Sequence, residues 1–192
     1  MPMMSVSMSS GNVPKGPVIT ETPQVVLSQQ MNKGFNGLLA FNQAEDQKAD
    51  KTLEAQAKAI DAYFKAHDMP LEGTGMKMAV EAQKNNIDWR LLPAIAARES
   101  TGGKHACKKV AHSFMGWGSC KISFKSDEEA IEIVANNLGG NNPNTDQHYA
   151  GKTTKEILRK YNSVIPKYVT QVITIMDEIG DETINVDQKA QA

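Results

Sequence analysis

Along most of the chain, apolar residues recur every three or four positions, in blocks separated by clusters of Gly, Asn, Pro and Ser. Leu53, Ala57, Ile60 and Phe64 repeat at helical spacing and predict an amphipathic helix that packs on the rest of the folded domain. His67 to Gly75, HDMPLEGTG, breaks it, with His67 as a helix-end residue whose partial positive charge suits that place. Met76 to Asn85 predicts a second helix, with Met76, Val80 and Gln83 on one side, Ala79 at a close contact, and Asn85 and Asn86 as the turn out. A third helix comes next, capped by Asp88, carrying Leu92, Ile95 and Ala96 as its apolar positions, with Pro93 near its start and Gly102 and Gly103 ending it.

Lys121 to Lys125, KISFK, alternates apolar and polar residues and predicts a short strand, the one β element expected. Ser126 with Glu129 fits a capping box that opens a helix through Leu138, which gives Asp127, Glu128 and Glu129 a helix-start job. Gly139 to Thr145 is a turn cluster, and Thr153 with Glu156 makes a second capping box before ILRKY. Pro166 suits the first turn of a last helix, with Val169, Val172, Ile173 and Met176 as its stripe and Gly180 as its end. The expected fold class is therefore mainly α, with at most a short β element.

Residues 1–30 are rich in Ser, Pro, Gly, Thr and Met without periodicity and read as a flexible tail; 31–52 read as a helix or linker. The expected folded domain is 53–180, with a loose tail over 181–192. A length of 192 residues suits one domain with appendages. Twenty-one Lys and Arg against 22 Asp and Glu leave no global bias towards nucleic acid, and no apolar run reaches the length of a membrane span. The start, MPMMSVSMSSGNVPKGPVITETPQ, lacks the basic and apolar regions of a Sec signal peptide.

The candidate chemistry centres on Glu99. It lies four residues after Ile95 and three after Ala96, so the helical period puts a carboxyl group on the apolar face in the last turn, while Arg98 projects to another side. Desolvation and the negative end of the helix both favour the protonated acid, the form that can donate to a leaving oxygen. An isolated Glu at a helix end is ordinarily a solvated residue. Here Phe114, Met115, Gly116, Trp117 and Gly118 come after it, an aromatic and glycine-rich loop of the kind that lets a sugar approach the backbone.

The ordered set LLPAIAARES, FMGWGSC and YNSVIPKYVTQVITIM, within about Ile60 to Ile179, resembles the glucosaminidase branch of the lysozyme-like superfamily. Those are bacterial cell-wall β-N-acetylglucosaminidases of the mannosyl-glycoprotein endo-β-N-acetylglucosaminidase type, with lytic transglycosylases as relatives. The resemblance implies a lysozyme-like helical domain, a general acid at Glu99, and substrate-binding roles for Ser100, Phe114, Gly116, Tyr161 and Tyr168. Met115 stands between the Phe and the Gly that are adjacent in the family pattern. From the residues themselves, Trp117 and Tyr149 add rings for stacking on sugar faces.

The implied partner is the glycan strand of peptidoglycan, with the enzyme extracytoplasmic or virion-associated and the N-terminal segment a candidate contact to a virion or wall-associated protein. Neither nucleic acid, cofactor nor metal enters this reading. Cys107 and Cys120 bracket the aromatic loop, and with His105 and His112 they match no familiar zinc spacing. A disulfide in an oxidising compartment is the expected use, and two reduced thiols the alternative. Between Ser100 and Ser126 there is no Asp or Glu, but there are Lys104, Lys108, Lys109, Lys121 and Lys125, read either as a solvated loop or as an attraction for anionic wall polymer. The same gap predicts a mechanism without a second catalytic carboxylate. The alternative functions are a lytic transglycosylase or muramidase on the same polymer, and a noncatalytic wall-binding or virion module.

Overall fold

A computed structural model describes residues 47–184. The expectations for residues 1–30, for 31–46 and for 185–192 lie outside the described residues. Those described are mainly helical: α1 (47–66), α2 (Gly75–Lys84), α3 (Leu91–Ser100), α4 (Asp127–Leu138), α5 (Asp146–Tyr149), α6 (Thr154–Tyr161) and α7 (Tyr168–Ile179), with a short 3-10 turn at Trp117–Cys120. No helix among them is long and apolar enough to cross a membrane.

The third helix is the axis of this arrangement. Every residue from Leu91 to Ala97 is buried, so α3 has no solvent face until its last turn, where Arg98 and Glu99 reach partial exposure. A helix that is apolar all round belongs at the centre of a fold, and its neighbours α7 and α2 supply the cover. Its start differs from the expectation. Asp88 does not cap the helix directly; its carboxylate accepts from the Arg90 backbone N–H at 2.9 Å and from the Arg90 guanidinium at 2.7 and 3.0 Å, and the helix begins at Leu91. Buried Arg90 also donates to Gly180 O at 3.1 Å, tying the start of α3 to the end of α7. The end differs too: Thr101, at φ 54°, is the first left-handed residue, before Gly102 and Gly103. Gly102 is required by space as well, since a Cβ there would lie 2.6 Å from Met69.

Two apolar stripes are rotated from their expected faces. On α2 the inward residues are Met78, Ala79, Glu81 and Ala82, whereas Met76 is exposed. Small residues decide this, because Gly75 abuts α1 so closely that a Cβ would meet Ala57 O at 2.3 Å. Glu81 is then buried with its charge matched by Lys77 at 2.8 Å and Lys84 at 2.9 Å, and Lys77 also reaches Glu132 of α4 at 3.2 Å. On α7 the buried set is Tyr168, Val172, Met176 and Ile179, with Val169 and Ile173 only partly covered.

Among the described residues there is no strand. Phe124 of KISFK turns inward while Ile122 stays exposed, and the Phe124 N–H bonds Ala111 O at 3.1 Å, but that pairing is not continued into a ladder. The helix starts after it are closer to expectation. Ser126 Oγ accepts from the Glu129 N–H at 3.2 Å, although the Glu129 carboxylate takes the N–H of Lys125 rather than that of Ser126. At α6 the full reciprocal box between Thr153 and Glu156 forms. The one-turn helix α5 stands where the sequence reading has no element; it places Tyr149, and Asn137 beneath it binds Thr145 and Asn142 at 2.7 and 3.0 Å.

Candidate functional site

The last turn of α3 carries Glu99 out of the core, and the loop beyond it returns over the carboxylate. At Gly116 the backbone turns left-handed, φ 68°, and comes so close that a Cβ would lie 3.0 Å from Glu99 Oε2. Only glycine meets both demands, the positive φ and the contact with the carboxylate. The loop is held in four ways. Met115 and Phe114 are buried in the core; the Tyr161 hydroxyl donates to Met115 O; and Cys107 and Cys120 are joined by a disulfide, Cα to Cα 5.8 Å. A fourth tie at its far end is His112 Nδ1 with Asp127 Oδ1 at 2.8 Å.

Four aromatic rings form a row, and two of them, Tyr161 and Tyr168, lie within electrostatic reach of this carboxylate. Trp117 lies 6.1 Å from Tyr149 and 5.7 Å from Tyr161, both tilted, and Tyr161 stacks on Tyr168 at 6.1 Å with planes 10° apart. Such offsets and tilts are what the ring quadrupoles prefer. The Arg98 guanidinium covers the Tyr168 ring at 5.8 Å. Three separate parts of the chain meet here: α3, the loop after it, and the α5 to α7 region.

The phenols feel the carboxylate. Burial, then the charge of Glu99, then Tyr149, push the Tyr161 hydroxyl well above the usual tyrosine range; the residue as a whole is half-buried, but its hydroxyl is enclosed. Burial and the nearby Glu99 carboxylate push Tyr168 up as well, against a small opposite effect of Arg98. The Tyr168 hydroxyl is enclosed next to Glu99 and interacts with that carboxylate, although without a hydrogen bond of good geometry. Burial alone raises Tyr149. All three phenols therefore keep their protons at neutral pH and act as donors or stacking surfaces.

Of the residues expected at the site, Glu99, Gly116, Trp117, Tyr149, Tyr161 and Tyr168 come together. Ser100 and Phe114 are buried in the fold next to them. Ser100 is buried, its hydroxyl donating to Ala96 O at 3.2 Å and accepting from the Gly103 N–H at 2.8 Å, which closes the end of α3. Phe114 is 2% exposed and belongs to the core. Two contributors escaped the sequence reading: the Met115 carbonyl and Arg98. Their partners are 46 and 70 positions away, and no local spacing signals such contacts. The acids nearest in sequence after the loop are engaged at the start of α4: Asp127 with His112, Glu128 with Ser126, and Glu129 with Lys125. No family model, curated protein or solved structure matches the chain.

Proposed function

We propose that this protein is a peptidoglycan-cleaving glycosidase of the endo-β-N-acetylglucosaminidase type, built on a lysozyme-like helical domain, with Glu99 as its general acid. The observation that carries the reading is the placement of one carboxyl group at the exposed end of an otherwise buried helix, against the Gly116 backbone and beside a row of four aromatic rings. Aromatic faces suit the apolar faces of sugar rings, and the Gly116 backbone lies against the acid itself.

On this reading the Glu99 proton passes to the glycosidic oxygen as its bond to the anomeric carbon breaks. The oxygen of the substrate's own 2-acetamido group forms the new bond to that carbon, and water, passing a proton back to the Glu99 carboxylate, then opens the ring so formed. The anomeric configuration is retained. This route needs no second carboxylate, in keeping with the absence of Asp and Glu between Ser100 and Ser126 and with the helix-start roles of the next three acids. If a substrate hydroxyl attacks in place of water, the enzyme is a lytic transglycosylase and the product is a 1,6-anhydro end. The disulfide favours an oxidising compartment, which agrees with an extracytoplasmic or virion-associated enzyme.

Mass spectrometry of material released from purified peptidoglycan tests the proposal. The wild type should release fragments with a reducing GlcNAc end, and Glu99→Gln should release none while remaining folded by circular dichroism. Products unaffected by Glu99→Gln would refute the role of the acid, and no products from either protein would leave glycan binding without catalysis as the function.

A further inference from the structure

Outside the aromatic site, the outer surface of α7 carries a second feature. A groove of about 750 Å³ runs between α6 and α7, lined by the apolar Ile165, Pro166, Val169 and Ile173 and by the cations Lys155 and Arg159. No carboxylate lines it. Lys155 and Arg159 are exposed, four residues apart on α6, and neither forms an ion pair among the described residues. The nearest acid on their own helix, Glu156, is turned to the Thr153 backbone and hydroxyl, and Arg159 contributes only weakly to holding its pKa down.

Thr170 and Thr174 form a wall of this groove and also of a second one that contains Lys167 and Arg98, again with no carboxylate in its lining. The two make a continuous band around α7, from the cations of α6 to the residue that precedes Glu99. We propose that this band binds an acidic, extended peptide, namely the stem peptide attached to the glycan being cut. The inference rests on the proposed activity and adds a substrate class to it, peptide-bearing glycan over bare glycan. The chemistry of the groove selects that occupant: unpaired cations for carboxylates, an aliphatic lining for small apolar side chains, and threonine and asparagine groups for a peptide backbone. It has no aromatic platform on which nucleic-acid bases could stack.

The test uses the full chain, as wild type and as Lys155→Ala with Arg159→Ala. Two substrates are compared, purified peptidoglycan and the same material stripped of its stems by an amidase. The wild type should cut the peptide-bearing glycan roughly three- to tenfold faster, the scale of two solvent-screened charge pairs, and the double variant should lose that preference while cutting bare glycan at the wild-type rate. A second measurement is independent of catalysis: the freed stem peptide, titrated against isotope-labelled protein, should shift the methyl resonances of Ile165, Val169 and Ile173 in the wild type and not in the double variant. Persistence of the preference in the double variant overturns the proposal, as does a titration without these shifts, or one in which RNA or anionic vesicles cause them and the peptide does not. Shifts from the peptide without cleavage of either substrate would support the groove and refute the glycosidase.

Discussion

Gly116→Ala separates the two reasons for glycine beside Glu99. The first reason is backbone conformation: at φ 68° an L-residue costs about 1–2 kcal/mol. The second is the carboxylate, 3.0 Å from where the new Cβ would be and so obliged to retreat by a few tenths of an ångström. Gly151 isolates the first, since its φ is 65° and a Cβ there meets nothing within 4 Å. Both Ala variants should therefore lose about 1–2 kcal/mol of stability in urea titration. Only Gly116→Ala should lose the proposed peptidoglycan-cleaving activity, by roughly tenfold, because a misplacement of about 1 Å in a reacting group costs on the order of 100-fold and the shift here is smaller. Equal activities in the two variants would refute the claim that the Gly116 backbone positions the acid.

Tyr161→Phe removes the hydroxyl that binds the Met115 carbonyl, which is buried, and should cost about 1–3 kcal/mol together with faster amide exchange over Met115 to Trp117; unchanged exchange would show that the loop does not depend on this tie. Replacing both cysteines by serine releases a closure of 13 positions and should cost about 3 kcal/mol in denaturant unfolding; stability equal to that of the oxidised wild type would refute it. For Glu81, burial alone raises the pKa, but hydrogen bonds and charges from Lys77 and Lys84 outweigh it and lower the value below 4.5. A depressed folded-state pKa means that its stabilisation is complete above the unfolded value and is lost as pH falls through the folded one. Glu81→Gln should therefore be about 1.5–3 kcal/mol less stable at neutral pH, a difference that shrinks below pH about 4.5 and is read by urea titration at each pH.

How far the sequence could be read depended on the range of the interactions involved. α1 was legible because Ala57, Ile60 and Phe64 bury one face over consecutive turns. The capping box at Thr153 was legible because its bonds span three residues. The faces of α2 and α7 were not, since they depend on how closely a neighbour approaches, and a glycine such as Gly75 carries that information only once Ala57 is opposite it. KISFK shows the same limit in β structure: alternation puts Ile122 and Phe124 on one face, yet only Phe124 is buried, because a strand needs a partner and the bond to Ala111 is not continued.

The site obeys the same rule. Residue types pointed to Glu99 and the aromatic residues, whereas the Gly116 contact and the Tyr161 tie to Met115 arise from loop closure over tens of positions. Ser100 shows why a motif neighbour needs a structural explanation before a catalytic one. Its hydroxyl closes the turn that ends α3, and that turn sets where Glu99 leaves the core. Loss of activity in Ser100→Ala would follow from displacement of Glu99 alone, so a substrate-binding role requires a change in KM at unchanged stability, which a purely structural hydroxyl would not produce.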